Sequence, residues 1–280
     1  MWGRFSTFAA ETAAVAAAAG TGPAGRVRRG FTGRLTQNRV DMVETMMIGR
    51  GGMLRSLCLA GLLVGLCAAR AQGGGGLPKA MDPYFAKVTA GGAHPDADGF
   101  IRRWLLLEPI SVPVKSNTVF TDSYLKGVFG AQYFKGQGAA VPKDGSAARV
   151  GQGRLKWHAL DSRLYNVKLF RFATSLGKPR YGVLFWAVTL VDCPEEMRGV
   201  RLSVGSNGAS AWWLNGEEAV TLEGDRRMVR DDVVSRRLTL KKGRNVLWGA
   251  VVNGPGMSDF CIRFVDAQGK AVRNITVNVK

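Results

Sequence analysis

Apolar and polar positions alternate most regularly between residues 199 and 264, in short runs broken by turn formers. The runs GVRLSVGS, ASAWWL, EEAVTL, RRLTL, NVLWGAVV and DFCIRF are punctuated by Ser206-Asn207-Gly208, Asn215-Gly216, Lys242-Gly243 and Asn253-Gly254-Pro255-Gly256. Period-two alternation puts one face of a strand on a core, and Asn or Gly at a break supplies the positive φ of a tight hairpin. Leu238 and Leu240 therefore point inward while Arg237, Thr239 and Lys241 point out, and Phe260, Ile262 and Phe264 repeat the pattern. The adjacent Trp212 and Trp213 must face opposite ways on a strand. The pattern predicts an all-β protein, an antiparallel β-sandwich of the jelly-roll kind.

The preceding residues extend this reading. Residues 100–110 (FIRRWLLLEPI) predict the first strong strand, limited by Pro109 and Pro113. Residues 117–134 are ambiguous, with a short helix over 122–129 as one solution. Strands are expected at 155–160 and 165–172. Residues 181–191 (YGVLFWAVTLV) are apolar in both phases, which predicts a central strand covered on both faces. Residues 274–279 close a set of about nine strands, the number a jelly roll or related sandwich uses.

The N-terminal quarter differs in character. Residues 53–71 (MLRSLCLAGLLVGLCAARA) combine one early Arg, an apolar run and the Ala69-Arg70-Ala71 triplet, the pattern of a signal peptide cleaved before Gln72. The apolar run is too short for a stable membrane span, and the expected localisation is secreted or periplasmic. Residues 1–52 are Ala-rich, then Arg- and Gly-rich, and read as a disordered or helical extension, or as sequence upstream of a start at Met46, Met47 or Met53. Residues 72–98 are expected as a linker and 99–280 as the sandwich domain.

Of the chain's formal net charge of +18, the first 71 residues carry nine Lys/Arg and three Asp/Glu, leaving +12. The excess is spread along the strands, which reads as a generally positive surface and argues against nucleic acid as partner. Cys58 and Cys67 fall in the signal segment, so Cys193 and Cys261 alone remain, as one disulfide or as two separate, partly buried thiols.

Catalytic chemistry has thin support. No G-x-S-x-G elbow is present, and the nearest nucleophile and base candidates are His158 with Ser162 or Ser206. Cysteine and histidine spacings give no metal motif. Asp225, Asp231 and Asp232 flank Arg226, Arg227 and Arg230, which suits mutual ion pairing, with a structural calcium as the alternative. Carbohydrate recognition needs an exposed aromatic face beside polar side chains. Trp157, Trp213, Asn215, Glu217, Arg226 and Asp259 are the candidates for it, while Trp104, Trp186 and Trp248 lie on strongly apolar strands and read as core.

The stretch SVGSNGASAWWLNGEEAV, with RRLTLKKGRNVLWGAVVNGPGMSDFCIRF after it, resembles the galactose-binding-like jelly-roll modules of secreted carbohydrate-active enzymes. From Gly99 onward, GFIRRWLLLEPI, WHALDSRLYNVKLF and YGVLFWAVTLVDCPEEM are similar to proteins carried under the name acetylxylan esterase in polysaccharide-degrading bacteria. That resemblance implies activity toward acetylated plant xylan, and no catalytic residue transfers through it. The expected function is a non-catalytic carbohydrate-binding accessory module of plant polysaccharide (xylan) degradation. The alternatives are an acetylxylan esterase and an interaction module that docks a partner enzyme.

Overall fold

A computed structural model describes residues 76–280, apart from 113, 115 and 117–119. The expected signal segment at 53–71, the extension at 1–52 and both of their cysteines lie outside the described residues.

The larger of two antiparallel sheets has ten strands. Its path runs β1 (Phe85–Lys87), β5 (Gly153–Ser162), β2 (Arg103–Leu107), β6 (Val183–Cys193), β12 (Gly243–Asn253), β8 (Ser210–Leu214) and β9 (Glu217–Leu222). Short strands β3 (Ile110–Ser111) and β14 (Thr276–Asn278) pair with β6, and β4 (Ala147–Val150) pairs with β5. In the smaller sheet β7 (Met197–Ser206) pairs with β13 (Phe260–Val265), β10 (Val233–Val234) and β11 (Leu238–Leu240). Two helices, α1 (Asp122–Gly130) and α2 (Leu169–Ser175), complete the described elements. This is the expected β-sandwich. No helix among the described residues is long and apolar enough to cross a membrane.

The apolar β6 lies at the centre, paired with β12 over eleven registered positions from Val183↔Asn253 to Cys193↔Gly243. Every residue of it is buried except Asp192, whose carboxylate pairs with Arg244 at 2.9 Å. Alternate side chains of β6, β8 and β12 feed two separate apolar layers. Val183, Phe185, Trp212, Leu247 and Val251 meet Leu202, Val204, Phe260 and Ile262 of the small sheet. Leu184, Trp186, Val188, Trp248 and Ala250 face the other way, where Leu125, Val128 and Phe129 of α1 and Phe134 cover them. The sandwich therefore carries a third layer over the outer face of its large sheet.

Two expectations change. Residues 165–172 are not a strand: Val167 bridges Phe260, and the chain then winds into α2, whose Leu169, Phe172 and Ala173 are buried at helical spacing. The segment 72–98, expected as a linker, contributes β1 and the fully buried Met81 and Phe85, so ordered structure begins before Gly99. Of the two states open to Cys193 and Cys261, the structure shows separate buried thiols, one in each sheet. Desolvation, aided by the Asp192 charge, pushes the Cys193 thiol up to about 11, and desolvation pushes Cys261 up to about 12.

Candidate functional site

The tryptophan pair of β8 divides between the two layers, as strand alternation requires. Trp212 is fully buried between the sheets, with its ring 6.0 Å from Trp104 and 5.0 Å from Phe260. Trp213 emerges on the outer face, half-buried, and stacks on Trp186 of β6 with centroids 5.7 Å apart and planes 25° apart. Trp248, the registered partner of Trp213 on β12, meets Trp186 edge-on at 5.9 Å.

These three indoles floor a cleft of about 440 Å³, within the roughly 300–1,000 Å³ usual for small-ligand sites. One wall is α1. Thr121 caps it by accepting the Tyr124 N–H, and its buried Leu125, Val128 and Phe129 set Asp122 and Lys126 at the cleft. The other wall is the β8–β9 hairpin, closed by Asn215 and Gly216 at φ 53° and 87°, the paired positive values of a type I′ turn. Glu218, registered opposite Trp213, and Thr221 line this wall, and Glu223 follows it. The Thr221 hydroxyl donates to the Glu218 carboxylate at 2.8 Å.

The floor contains an irregularity. The indole N–H groups of Trp104 and Trp212 are satisfied by the Ile101 carbonyl and the Ser210 hydroxyl at 2.9 and 3.0 Å. Those of Trp186 and Trp248, with side chains 2% and 1% exposed, have no protein partner among the described residues. Buried indole N–H groups are normally paired, and these two nitrogens are shielded from solvent. The cleft thus offers a flat aromatic surface, three carboxylates, one ammonium and a hydroxyl.

Of the residues expected from the sequence, Trp213 lies in this cleft. Trp157 does not, and its expected exposure is corrected: it is 2% exposed, wedged edge-on against Phe134 and Trp248, because the layer around α1 covers that part of the outer face. Asn215 serves its turn, donating to Asn245 and accepting the Val246 N–H, both at 2.9 Å. Glu217 pairs with Arg236 at 3.1 Å; its neighbour Glu218 is the one that lines the cleft. Arg226 pairs with Asp232 at 2.7 Å. Asp259 is 2% exposed and bound by Lys168 at 2.8 Å; burial pushes its carboxyl above the usual range although Lys168 pulls the other way.

The catalytic candidates do not assemble. His158 Nε2 lies 3.3 Å from Glu108, which also binds Lys178 at 2.9 Å. Ser162 lies four residues farther along the same strand, about 13 Å at strand rise, with its hydroxyl 2.9 Å from the Leu164 and Asn166 carbonyls. Ser206 is buried in the other sheet without a partner among the described residues. Around 231–232 the ion-pairing reading describes the geometry: Asp231 binds Ser203 and Arg263 and Asp232 binds Arg226. Among the described residues no group of three or more His, Cys, Asp or Glu is placed to hold a metal ion.

Sequence reasoning missed Trp186 and Trp248 as site residues, because both sit on apolar strands and are buried. It took Glu217 instead of Glu218 from the hairpin, and it missed Asp122, Lys126 and Glu223, which the fold alone brings to one cleft.

No protein-family model and no curated protein matches the chain. Among solved structures, the PA14 sugar-binding domain from an RTX adhesin is similar at 10% identity and a TM-score of 0.35, over 62% of this chain and 96% of that one. The PA14 domain of the antifreeze protein MpAFP is similar at 12% identity and a TM-score of 0.32, over 68% of this chain and 96% of that one.

Proposed function

We propose that the cleft between α1 and the β8–β9 hairpin binds carbohydrate. The observation that carries this reading is the half-buried ring of Trp213, stacked on Trp186 and lining a cleft whose rim carries carboxylates. A pyranose ring has one flat apolar face and a polar periphery. Such a ligand stacks on an indole and donates its hydroxyls to rim carboxylates.

The proposed setting is secreted or periplasmic, through the segment at 53–71, with a non-catalytic accessory role beside polysaccharide-degrading enzymes. Xylan is the polysaccharide that the sequence resemblance supplies, and the aromatic floor suits the pyranose face of its backbone. The separation of His158 from Ser162 along β5, and of both from Ser206 in the other sheet, favours binding over an esterase acting through those residues.

The test pairs retention with hydrolysis. The protein is incubated with acetylated and deacetylated xylan, cellulose and chitin, and bound protein and released acetate are both measured. Retention without acetate release is expected, and Trp213→Ala should weaken it tenfold or more, the equivalent of about 1.4 kcal/mol, with little change in thermal midpoint. Retention unaffected by Trp213→Ala would place the site elsewhere. Acetate release lost in His158→Ala would make the protein an enzyme.

A further inference from the structure

The charge of the cleft is opposite in sign to that of the chain. With 39 Lys and Arg against 21 Asp and Glu, a carboxylate here has many potential partners, and ten different ones, from Asp82 and Asp98 to Asp259, are engaged in ion pairs. Eight described carboxylates are in none of those pairs, and three of them, Asp122, Glu218 and Glu223, line the tryptophan cleft. These three face a single ammonium, Lys126, which pairs with none of them within 4 Å. Three carboxylates against one ammonium leave the opening with a net negative charge, which favours a cationic ligand.

A second, independent observation lies beside them in the Trp213 ring, which lines the same cleft, half-buried and stacked on Trp186. The carboxylates and the aromatic floor are also in register. Glu218 sits directly across the strand pair from Trp213, so a cation over the Trp213 ring meets the negative face of the indole and a carboxylate together. Cation–π attraction and ion pairing then add on the same group.

Resting on the carbohydrate reading above, we propose that this cleft selects sugars bearing a protonated amine, such as glucosamine units, over their neutral counterparts, and rejects uronates. The ring stacks on Trp213, and the ammonium lies between Glu218 and the other rim carboxylates. Non-specific electrostatics cannot mimic this preference, because the protein's net charge repels cationic ligands.

The test measures affinities of the full chain for four tetrasaccharides near pH 6 by calorimetry: β-1,4-linked glucosamine, its fully N-acetylated form, the neutral glucose analogue and a uronate. The glucosamine oligomer should bind tenfold or more tighter than the glucose analogue, a difference of about 1.4 kcal/mol, and the uronate weakest. The ratio should shrink as salt rises from about 0.05 to 0.5 M, because screening shortens the reach of the rim carboxylates. Glu218→Gln combined with Glu223→Gln should collapse the ratio toward one, with unfolding followed in parallel. Equal or tighter binding of the glucose analogue by the wild type overturns the selectivity and leaves the carbohydrate reading intact. Failure of all four, and of xylan, to bind overturns both.

Discussion

Gly249 shows what a single position can demand. It lies across the strand pair from Trp212, and a Cβ placed there would sit 2.0 Å from the Trp212 ring. The indole occupies the space a side chain would need, so glycine is required by close approach. Gly249→Ala should destabilise the fold by about 2 kcal/mol or more, in the range of overpacked cores, measured by chemical denaturation. The thiols give a second prediction at this scale. With Cys193 and Cys261 buried and pushed up to about 11 and about 12 by desolvation, almost no thiolate exists near neutrality. Neither should be alkylated in the native protein at about pH 8, and peptide mapping should find both modified once it is unfolded. Rapid native modification, or recovery of a linked Cys193–Cys261 peptide, would contradict the separate buried thiols. Residue-scale logic was legible where geometry is local: adjacent Trp212 and Trp213 had to diverge, and they do. It failed for Trp157, because nothing in LKWHAL announces that Phe134, more than twenty residues earlier, folds over it.

At the scale of elements, the two walls of the cleft are set by short-range signals. Asn215-Gly216 specifies a type I′ turn, and the turn fixes the register that puts Glu218 opposite Trp213. Helix α1 depends on Thr121, whose side chain satisfies the Tyr124 N–H. Thr121→Ala should cost about 1 kcal/mol of stability, as lost N-caps do, and loosen the wall that holds Asp122 and Lys126. A larger loss of ligand affinity than of global stability would identify α1 as a wall of the site; unchanged affinity with a frayed helix would count against it. The hairpins were legible because their turn residues and alternation agree. Helix α2 was not, because Tyr165, Val167 and Leu169 alternate like a strand, while its buried Leu169, Phe172 and Ala173 span barely more than one turn. A segment that short leaves the period undecided.

For the whole molecule, ionic links tie together strands distant in sequence, and their pH dependence has a definite sign. The Arg244 guanidinium holds Asp192 below its ordinary value, against the opposing effect of burial and with help from Asn278. Burial would raise Asp231, but Arg263 and Ser203 outweigh it and bring it below the ordinary value. Burial would likewise raise Glu108, but hydrogen bonds from Lys178, the Lys156 backbone and His158 outweigh it and lower the carboxyl. A carboxyl lowered by folding contributes stability that is present above its unfolded pKa, about 4, and is lost as pH falls through the folded value. Thermal midpoints should therefore hold between about pH 5 and 7 and fall below about pH 4. Asp259, raised by burial, works in the opposite direction. The sandwich was legible at this scale because alternation and turns repeat along the chain. The cleft was not, because it exists only where the α1 layer, the hairpin and three indoles from different strands converge. The most direct test of carbohydrate binding there is to follow the tryptophan indole N–H resonances by ¹H–¹⁵N correlation spectroscopy during titration with a glucosamine or xylose oligosaccharide. The resonance of Trp213 should shift most on saturation, because the sugar stacks on its half-buried ring, with smaller shifts for Trp186 and Trp248 packed beside it. The resonances of Trp104 and Trp212, already bonded to Ile101 and Ser210, should stay in place. Saturable binding that leaves Trp213 unmoved would contradict a carbohydrate site on this floor.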